Sequence, residues 1–358
     1  MAQIDKPNLH FNTFIYTGNG TSPRTISGVG FQPDLVFGAR RDDAAGKNLY
    51  DAVRGAGSTK NLQSNGNGAE GSGSPGTYGY LNAFASDGFT VTAGSSDNAY
   101  WNNNTATYVT WNWKANGSGS SNTTGSINST VSVNTTSNFS IVKYTGNGTS
   151  GATVGHGLGA VPKMIIVKQF SSNGGSENWG VYHVGMGNTK YIFLNSNAVA
   201  GTNSGYWYDT TPSSTVFTLG NNDVVNNNTV EYIAYCFAEK KGFSSFGKYT
   251  GNGNSDGPFV YTGFKPAYIV IKSSTYAGNW LCLDNKREIQ NIGSGTPINI
   301  NESNGEDTNT AYAIDFLSNG FKLKNSNGNI QNNNESMFYW AFAENPIVGS
   351  NNIAATAQ

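Results

Sequence analysis

The chain has 358 residues, 12% of them charged and 13% aromatic, and carries a net charge of −1. Without a basic run it offers no electrostatic footprint for nucleic acid, and no apolar stretch reaches the roughly 18 residues of a membrane span. The start, Met1-Ala2-Gln3-Ile4-Asp5-Lys6, lacks the apolar core of a signal peptide, so synthesis in a cytoplasm is expected.

Residues 1–13 form an arm in which Ile4, Pro7, Leu9 and Phe11 alternate with polar residues. An extended segment of this kind can dock by adding to a sheet edge of a neighbouring protein. A first module follows over residues 14–115. It opens on Tyr16-Thr17-Gly18-Asn19-Gly20, and Pro33 leads into the strand Leu35-Val36-Phe37. Asp87-Gly88 signals a tight hairpin, since both central residues of a type I′ turn need positive φ. The triplet Asn102 to Asn104 then precedes a closing strand, Tyr108-Val109-Thr110-Trp111-Asn112-Trp113. Residues 116–138 read as a linker rich in Gly, Ser, Thr and Asn, flexible over 116–125, with a candidate edge strand from Ile127 to Val133.

The same marks recur twice. The second module, residues 139–241, has Tyr144-Thr145-Gly146-Asn147-Gly148, then Pro162, then Asn226 to Asn228 and the strand Tyr232-Ile233-Ala234-Tyr235-Cys236-Phe237. The third, residues 242–345, has Tyr249-Thr250-Gly251-Asn252-Gly253, then Pro266, then Asn332 to Asn334 and Met337-Phe338-Tyr339-Trp340-Ala341-Phe342. Almost nothing separates these two modules, so they are expected to pack as a rigid pair. Residues 346–358 are a tail. Alternation along each closing strand puts Val109, Trp111 and Trp113, with their counterparts Ile233, Tyr235, Phe237 and Phe338, Trp340, Phe342, on a core face. With 46 glycines and no helical periodicity, the expected fold is all-β: three tandem antiparallel β-sandwich modules of jelly-roll or lectin-like type.

Residues able to carry chemistry are few. His10, His156 and His183 lie in different segments without metal-ligand spacing, so neither a zinc site nor a cofactor is expected. Cys236 and Cys282 sit in strand-like runs and read as buried thiols. Asn221, Asn222 and Asp223 could join a calcium site, although oxygen-rich loops occur throughout. Gly18, Gly20, Gly146 and Gly148 read as turn glycines, since no helix follows them to make a phosphate cradle. Asp51 and Arg54 recur as Asp284 and Arg287, while the second module has His183 and Met186 there. A catalytic acid at Asp51 or Asp284 is conceivable; a salt-bridged turn after a strand is the simpler reading, and an exposed pair of that kind contributes little. Trp101 and Trp207 lie outside the closing strands and are candidates for stacking on a sugar, whereas alternation places Trp179 and Trp280 in the core.

The Tyr-Thr-Gly-Asn-Gly motif, followed by Val29-Gly30-Phe31-Gln32-Pro33-Asp34 or by Gly155-His156-Gly157-Leu158-Gly159-Ala160-Val161-Pro162-Lys163, resembles the repeated module of virion structural proteins from marine bacteriophages. Tyr232 to Glu239 and Asp315 to Leu323 extend the resemblance over residues 14–345. Those modules are similar to concanavalin-like β-sandwiches. The resemblance implies a virion protein, as a tail fibre or receptor-binding appendage or as a head decoration or knob, with other virion proteins and host-surface glycans as partners and assembly into a homo-oligomer. It brings no catalytic residues. A lectin-like adhesin is the alternative, and a polysaccharide depolymerase the enzymatic one.

Overall fold

A computed structural model describes residues 4–287, 295–307, 312–326 and 333–347. Nearly all regular structure is β. After a 3-10 turn at Pro7–Leu9, the first unit comprises β1 (Phe11–Thr17), β2 (Arg24–Ser27), β3 (Leu35–Arg40), β4 (Asn48–Asp51), β5 (Leu62–Gln63), α1 (Pro75–Tyr78), β6 (Tyr80–Ala85), β7 (Gly88–Thr92) and β8 (Thr107–Trp113). The second comprises β9 (Ser120–Asn122), β10 (Ser129–Asn134), β11 (Phe139–Thr145), β12 (Ala152–Gly155), β13 (Pro162–Gln169), β14 (Gly180–His183), β15 (Lys190–Phe193), β16 (Gly201–Thr202), α2 (Ser204–Trp207), β17 (Val216–Leu219), α3 (Asp223–Asn226) and β18 (Glu231–Ala238). The third comprises β19 (Ser244–Thr250), β20 (Phe259–Tyr261), β21 (Phe264–Ser273), β22 (Leu281–Asp284), β23 (Ile298–Asn299), β24 (Ile314–Leu317), β25 (Gly320–Leu323) and β26 (Ser336–Pro346).

Three large antiparallel sheets share one strand order: β1-β8-β3-β4-β5, then β11-β18-β13-β14-β15, then β19-β26-β21-β22-β23. Each has a smaller sheet beside it, β2-β7-β6, β12-β17 and β20-β25-β24. The second large sheet is extended by β16 at one edge and by β10 and β9 at the other. The stretch expected to be a loose linker is therefore partly strand: β9 pairs with β10, and β10 pairs with β11 from Ser129↔Tyr144 to Asn134↔Phe139.

The repeated motifs form one locking device. Gly20, Gly148 and Gly253, which end the Tyr-Thr-Gly-Asn-Gly turns, all have φ near +70°, where a Cβ is costly. The buried side chain of Asn102 accepts from Asn19 N and donates to Thr21 O; Asn226 likewise accepts from Asn147 N and donates to Thr149 O. The Asn triplet thus holds the turn that opens the unit. The hairpins differ from expectation. Ala85 pairs with Gly88 and Leu317 with Gly320, so Ser86-Asp87 and Ser318-Asn319 are the loops. Gly88 and Gly320 are needed instead because the carbonyls of Ile26 and Val260 occupy the space of a Cβ.

Both faces of the closing strands are buried, and they face different cores. One face is turned toward a core private to each unit, built with neighbouring strands: Val36, Tyr50 and Phe89 in the first, Tyr144, Tyr232 and Cys236 in the second, Ile269, Tyr339 and Phe321 in the third. The aromatic face, with Trp111, Trp113, Tyr235, Phe237, Trp340 and Phe342, builds a single core shared by all three units. Trp113, Phe237 and Phe342 occupy equivalent positions, and their rings meet pairwise at 6.2, 5.7 and 5.9 Å. The three units therefore close around a pseudo-threefold axis. The second and third units pack on each other, and the first packs on both.

Candidate functional site

At two junctions a closing-strand side chain donates to the neighbouring unit, and at the third the neighbour donates to the closing strand. From β8, Trp111 Nε1 donates to Asp284 Oδ2 at the end of β22 (2.9 Å). From β18, Tyr235 OH donates to Asp51 Oδ2 at the end of β4 (2.9 Å). At the third junction the second unit has His183, whose Nε2 donates to the carbonyl of Tyr339 in β26 (3.0 Å). Burial lowers the pKa of His183 to about 3, against the favourable hydrogen bond to Tyr339, so the ring is neutral there.

Asp51 is saturated: Oδ1 accepts from the backbone of Val53 and Arg54, and Oδ2 from Arg54 Nε at 2.6 Å and from Tyr235. Asp284 repeats the pattern with Lys286 N, Arg287 N, Arg287 Nε at 2.7 Å and Trp111. Both ion pairs have 0% exposed side chains. Burial alone would favour neutral guanidinium groups, but Asp51 and Asp284 outweigh it and raise the pKa of Arg54 and Arg287.

A buried lysine crosses each junction. Lys168 Nζ donates to Asn67 O (2.8 Å) of the first unit, and Lys272 Nζ lies 3.4 Å from Asn197 O of the second. The indoles of Trp179 and Trp280 accompany them, donating to Gly66 O and Ser196 O of the same neighbours. In the first unit the strand positions exchange: Ala39 replaces the lysine, and Lys47 stands where the tryptophans stand, donating to Ser303 O and Asn304 O of the third unit. Burial depresses Lys168 to about 7 and both Lys47 and Lys272 to about 8.

The second unit also carries an open cleft of about 510 Å³. Glu177 and Asn178 line it ahead of β14, Phe193 from β15, Asn203 and Tyr206 at α2, and Asn221, Asn222 and Asp223 at the start of α3. Burial, then the nearby charge of Asp223, raises the pKa of Glu177, and Lys168 opposes this.

The chain belongs to the DUF7483 family, a domain of unknown function. The family model matches residues 6–346, so this domain takes in all three units together with the segment from Lys6 to β1. No curated protein and no solved structure matches the chain.

Within this DUF7483 domain, several sequence-based expectations are corrected. The N-terminal segment folds back on its own chain: Ile4 and Phe11 belong to the shared core, and Pro7 is buried. Phe11 stacks on Phe342 at 4.8 Å and pairs in register with Trp113. Its apolar groups are thus spent internally, and only Leu9, at 41%, is exposed. Met1 to Gln3 and the tail beyond Ile347 lie outside the described residues.

Trp101 and Trp207 are 1% and 2% exposed, so neither offers a face to a sugar. Trp101 fills the first private core over Gly38, and Trp207 packs edge-on to Tyr182. Trp179 and Trp280 are fully buried, as alternation indicated. Asp51 and Asp284 are buried junction groups, not exposed turn pairs. Cys236 and Cys282 are buried and not joined in a disulfide. Among the described residues, no three His, Cys, Asp or Glu side chains cluster as metal ligands. The cleft escaped sequence reasoning except for Asn221, Asn222 and Asp223. Its other walls come from segments that only folding brings together.

Proposed function

We propose that this protein is a structural component of a bacteriophage particle: three tandem β-sandwich modules fused into one ring that acts in assembly and display, without chemistry of its own. The observation that carries the reading is the ring itself. Its three aromatic faces are consumed in one shared core, and its junctions are sealed by buried ion pairs, lysines and indoles. Such a body is a rigid, single-chain counterpart of a cyclic trimer, suited to presenting loops from a particle surface. The acids considered for catalysis, Asp51 and Asp284, have both carboxylate oxygens engaged and no route to substrate. The repeat resemblance to virion modules supplies the location, as a tail appendage or a head decoration, with other virion proteins and further copies of the chain as partners. Attachment then falls to the outer faces of the units, because the N-terminal segment is used within the chain.

Mass spectrometry of gradient-purified particles tests this. The protein should be present at a fixed copy number and should partition with either tails or emptied heads after disruption. Its absence from particles would refute the reading.

A further inference from the structure

The open cleft of the second unit lies at a place that side chains fill in the first, and the repeat shows how. Aligning Asn226 with Asn102 places Val224 where the first unit has Tyr100. Aligning Ile192 with Leu62, through their pairing with Val181 and Leu49, places Phe193 at Gln63. Aligning Trp179 with Lys47 places Glu177 at the buried Ala45. In the first unit the site is closed: Tyr100 OH donates to Gly73 O at 2.6 Å, and the Gln63 side chain lies against Gly73 and donates to Asn48 Oδ1. The second unit has the smaller Val224 in place of Tyr100 and Phe193 in place of Gln63, and sets the acidic Glu177 where the first unit has Ala45. The backbone carbonyl of Glu177 accepts from the junction lysine Lys168, whereas Val224 belongs to the second unit's private core.

The groups left facing the cleft form a coherent set. The carboxylates of Glu177 and Asp223 accept no hydrogen bond from the described residues. Asn178, Asn203 and Asn222 use their Oδ1 atoms within the chain, accepting from Asn195 Nδ2, Gly205 N and Val224 N, which leaves their Nδ2 donors directed to no described acceptor. Phe193 is half-buried and contributes a ring edge or face; Tyr206, stacked on Tyr191 at 3.8 Å, stiffens the wall. No Lys or Arg side chain lines the cleft, and two carboxylates repel an anionic ligand. The volume lies within the roughly 300–1,000 Å³ of small-molecule sites, but polar groups dominate the lining. Paired acceptors, amide donors and one aromatic surface match a ligand with many hydroxyl groups and at least one C–H face.

We propose that this cleft binds an uncharged saccharide, with Glu177 and Asp223 accepting from its hydroxyl groups, the asparagine amides donating to them, and Phe193 packing on its C–H face. This goes beyond the structural role and is separable from it, because particle incorporation is read independently.

The test is saturation-transfer NMR on the full chain with four probes: D-glucose, D-galactose, D-mannose and N-acetyl-D-glucosamine. At least one should receive transfer, and Glu177→Gln with Asp223→Asn should weaken that binding roughly tenfold or more, the effect of losing hydrogen bonds to charged groups. Val224→Tyr, which copies the first unit, should close the cleft and abolish transfer while leaving both carboxylates in place. Tyr261→Ser, at an exposed aromatic of the third unit, should leave transfer unchanged. No transfer to any probe, or transfer undiminished from that of the unaltered chain in the double variant or in Val224→Tyr, would overturn the proposal. So would a cleft that responds to calcium chloride, through resonance shifts lost in the double variant, while ignoring every sugar.

Discussion

Replacing Asp51 by alanine probes the junction between the first and second units. The substitution removes four hydrogen bonds at once: two from backbone N–H groups, one from Arg54 Nε and one from Tyr235 OH. The Arg54 side chain is 0% exposed, so its charge cannot turn to water. Breaking a buried pair from one side costs about 3–5 kcal/mol, against about 0–1 kcal/mol for an exposed pair. Arg54 retains the carbonyl of Lys60 at 2.7 Å and a longer contact to Glu70 at 3.5 Å, which places the expected loss near the lower end, about 3 kcal/mol. Urea unfolding followed by tryptophan fluorescence would measure it. Tyr235→Phe, alone and combined with Asp51→Ala, then isolates the contact between units. The coupling should be roughly 1–3 kcal/mol, as for a hydrogen bond to a charged group. Unfolding should remain one transition, because the shared core ties the units together. A loss below about 1 kcal/mol, or separate melting of the first unit with the other two intact, would refute the argument that this pair seals a closed ring.

Phe342→Ala, at the pseudo-threefold axis, should cost about 3–5 kcal/mol and lower the melting temperature of the whole chain; a loss confined to the third unit in hydrogen exchange would contradict a shared core. Deleting residues 2–12 should cost at least about 3 kcal/mol, since it removes Phe11 from the core, and an unchanged melting curve would show instead that the segment hangs free. His183 has a folded pKa of about 3 against 6.5 when unfolded, so between these values only the unfolded chain binds its proton. Stability should therefore fall as pH drops below 6.5, by roughly 2–3 kcal/mol at pH ~4.5 from this group; His183→Gln should remove that part of the acid sensitivity, and an identical pH profile would rule it out. Gly88→Ala should destabilise the first unit by forcing β7 away from the Ile26 carbonyl, measured by thermal melting, whereas Gly117→Ala, with open space around its Cβ but φ of +63°, should cost only the roughly 1 kcal/mol of backbone strain.

The sequence by itself determined the β class, the threefold repeat and the strands that close each unit. These depend on local chemistry: alternation along a strand, turn glycines, and a proline before a strand are written within a few residues of where they act. It also marked Trp179 and Trp280 as core and Asp51–Arg54 as a pair. Tertiary structure alone decided what those residues face. A two-residue period says that Trp111 and Tyr108 point in opposite directions, but it cannot say that one direction leads to a private core and the other to a core shared by three units. For the same reason Phe11 read as a docking knob for another protein, although it plugs the core of its own. Trp101 and Trp207 looked available only because their loops carry no period at all. The cleft depends on tertiary structure most of all: its walls gather residues 177 to 224, and whether they leave a hollow depends on the small Val224 standing where the first unit has Tyr100, a comparison that has meaning only once the units are superposed in space.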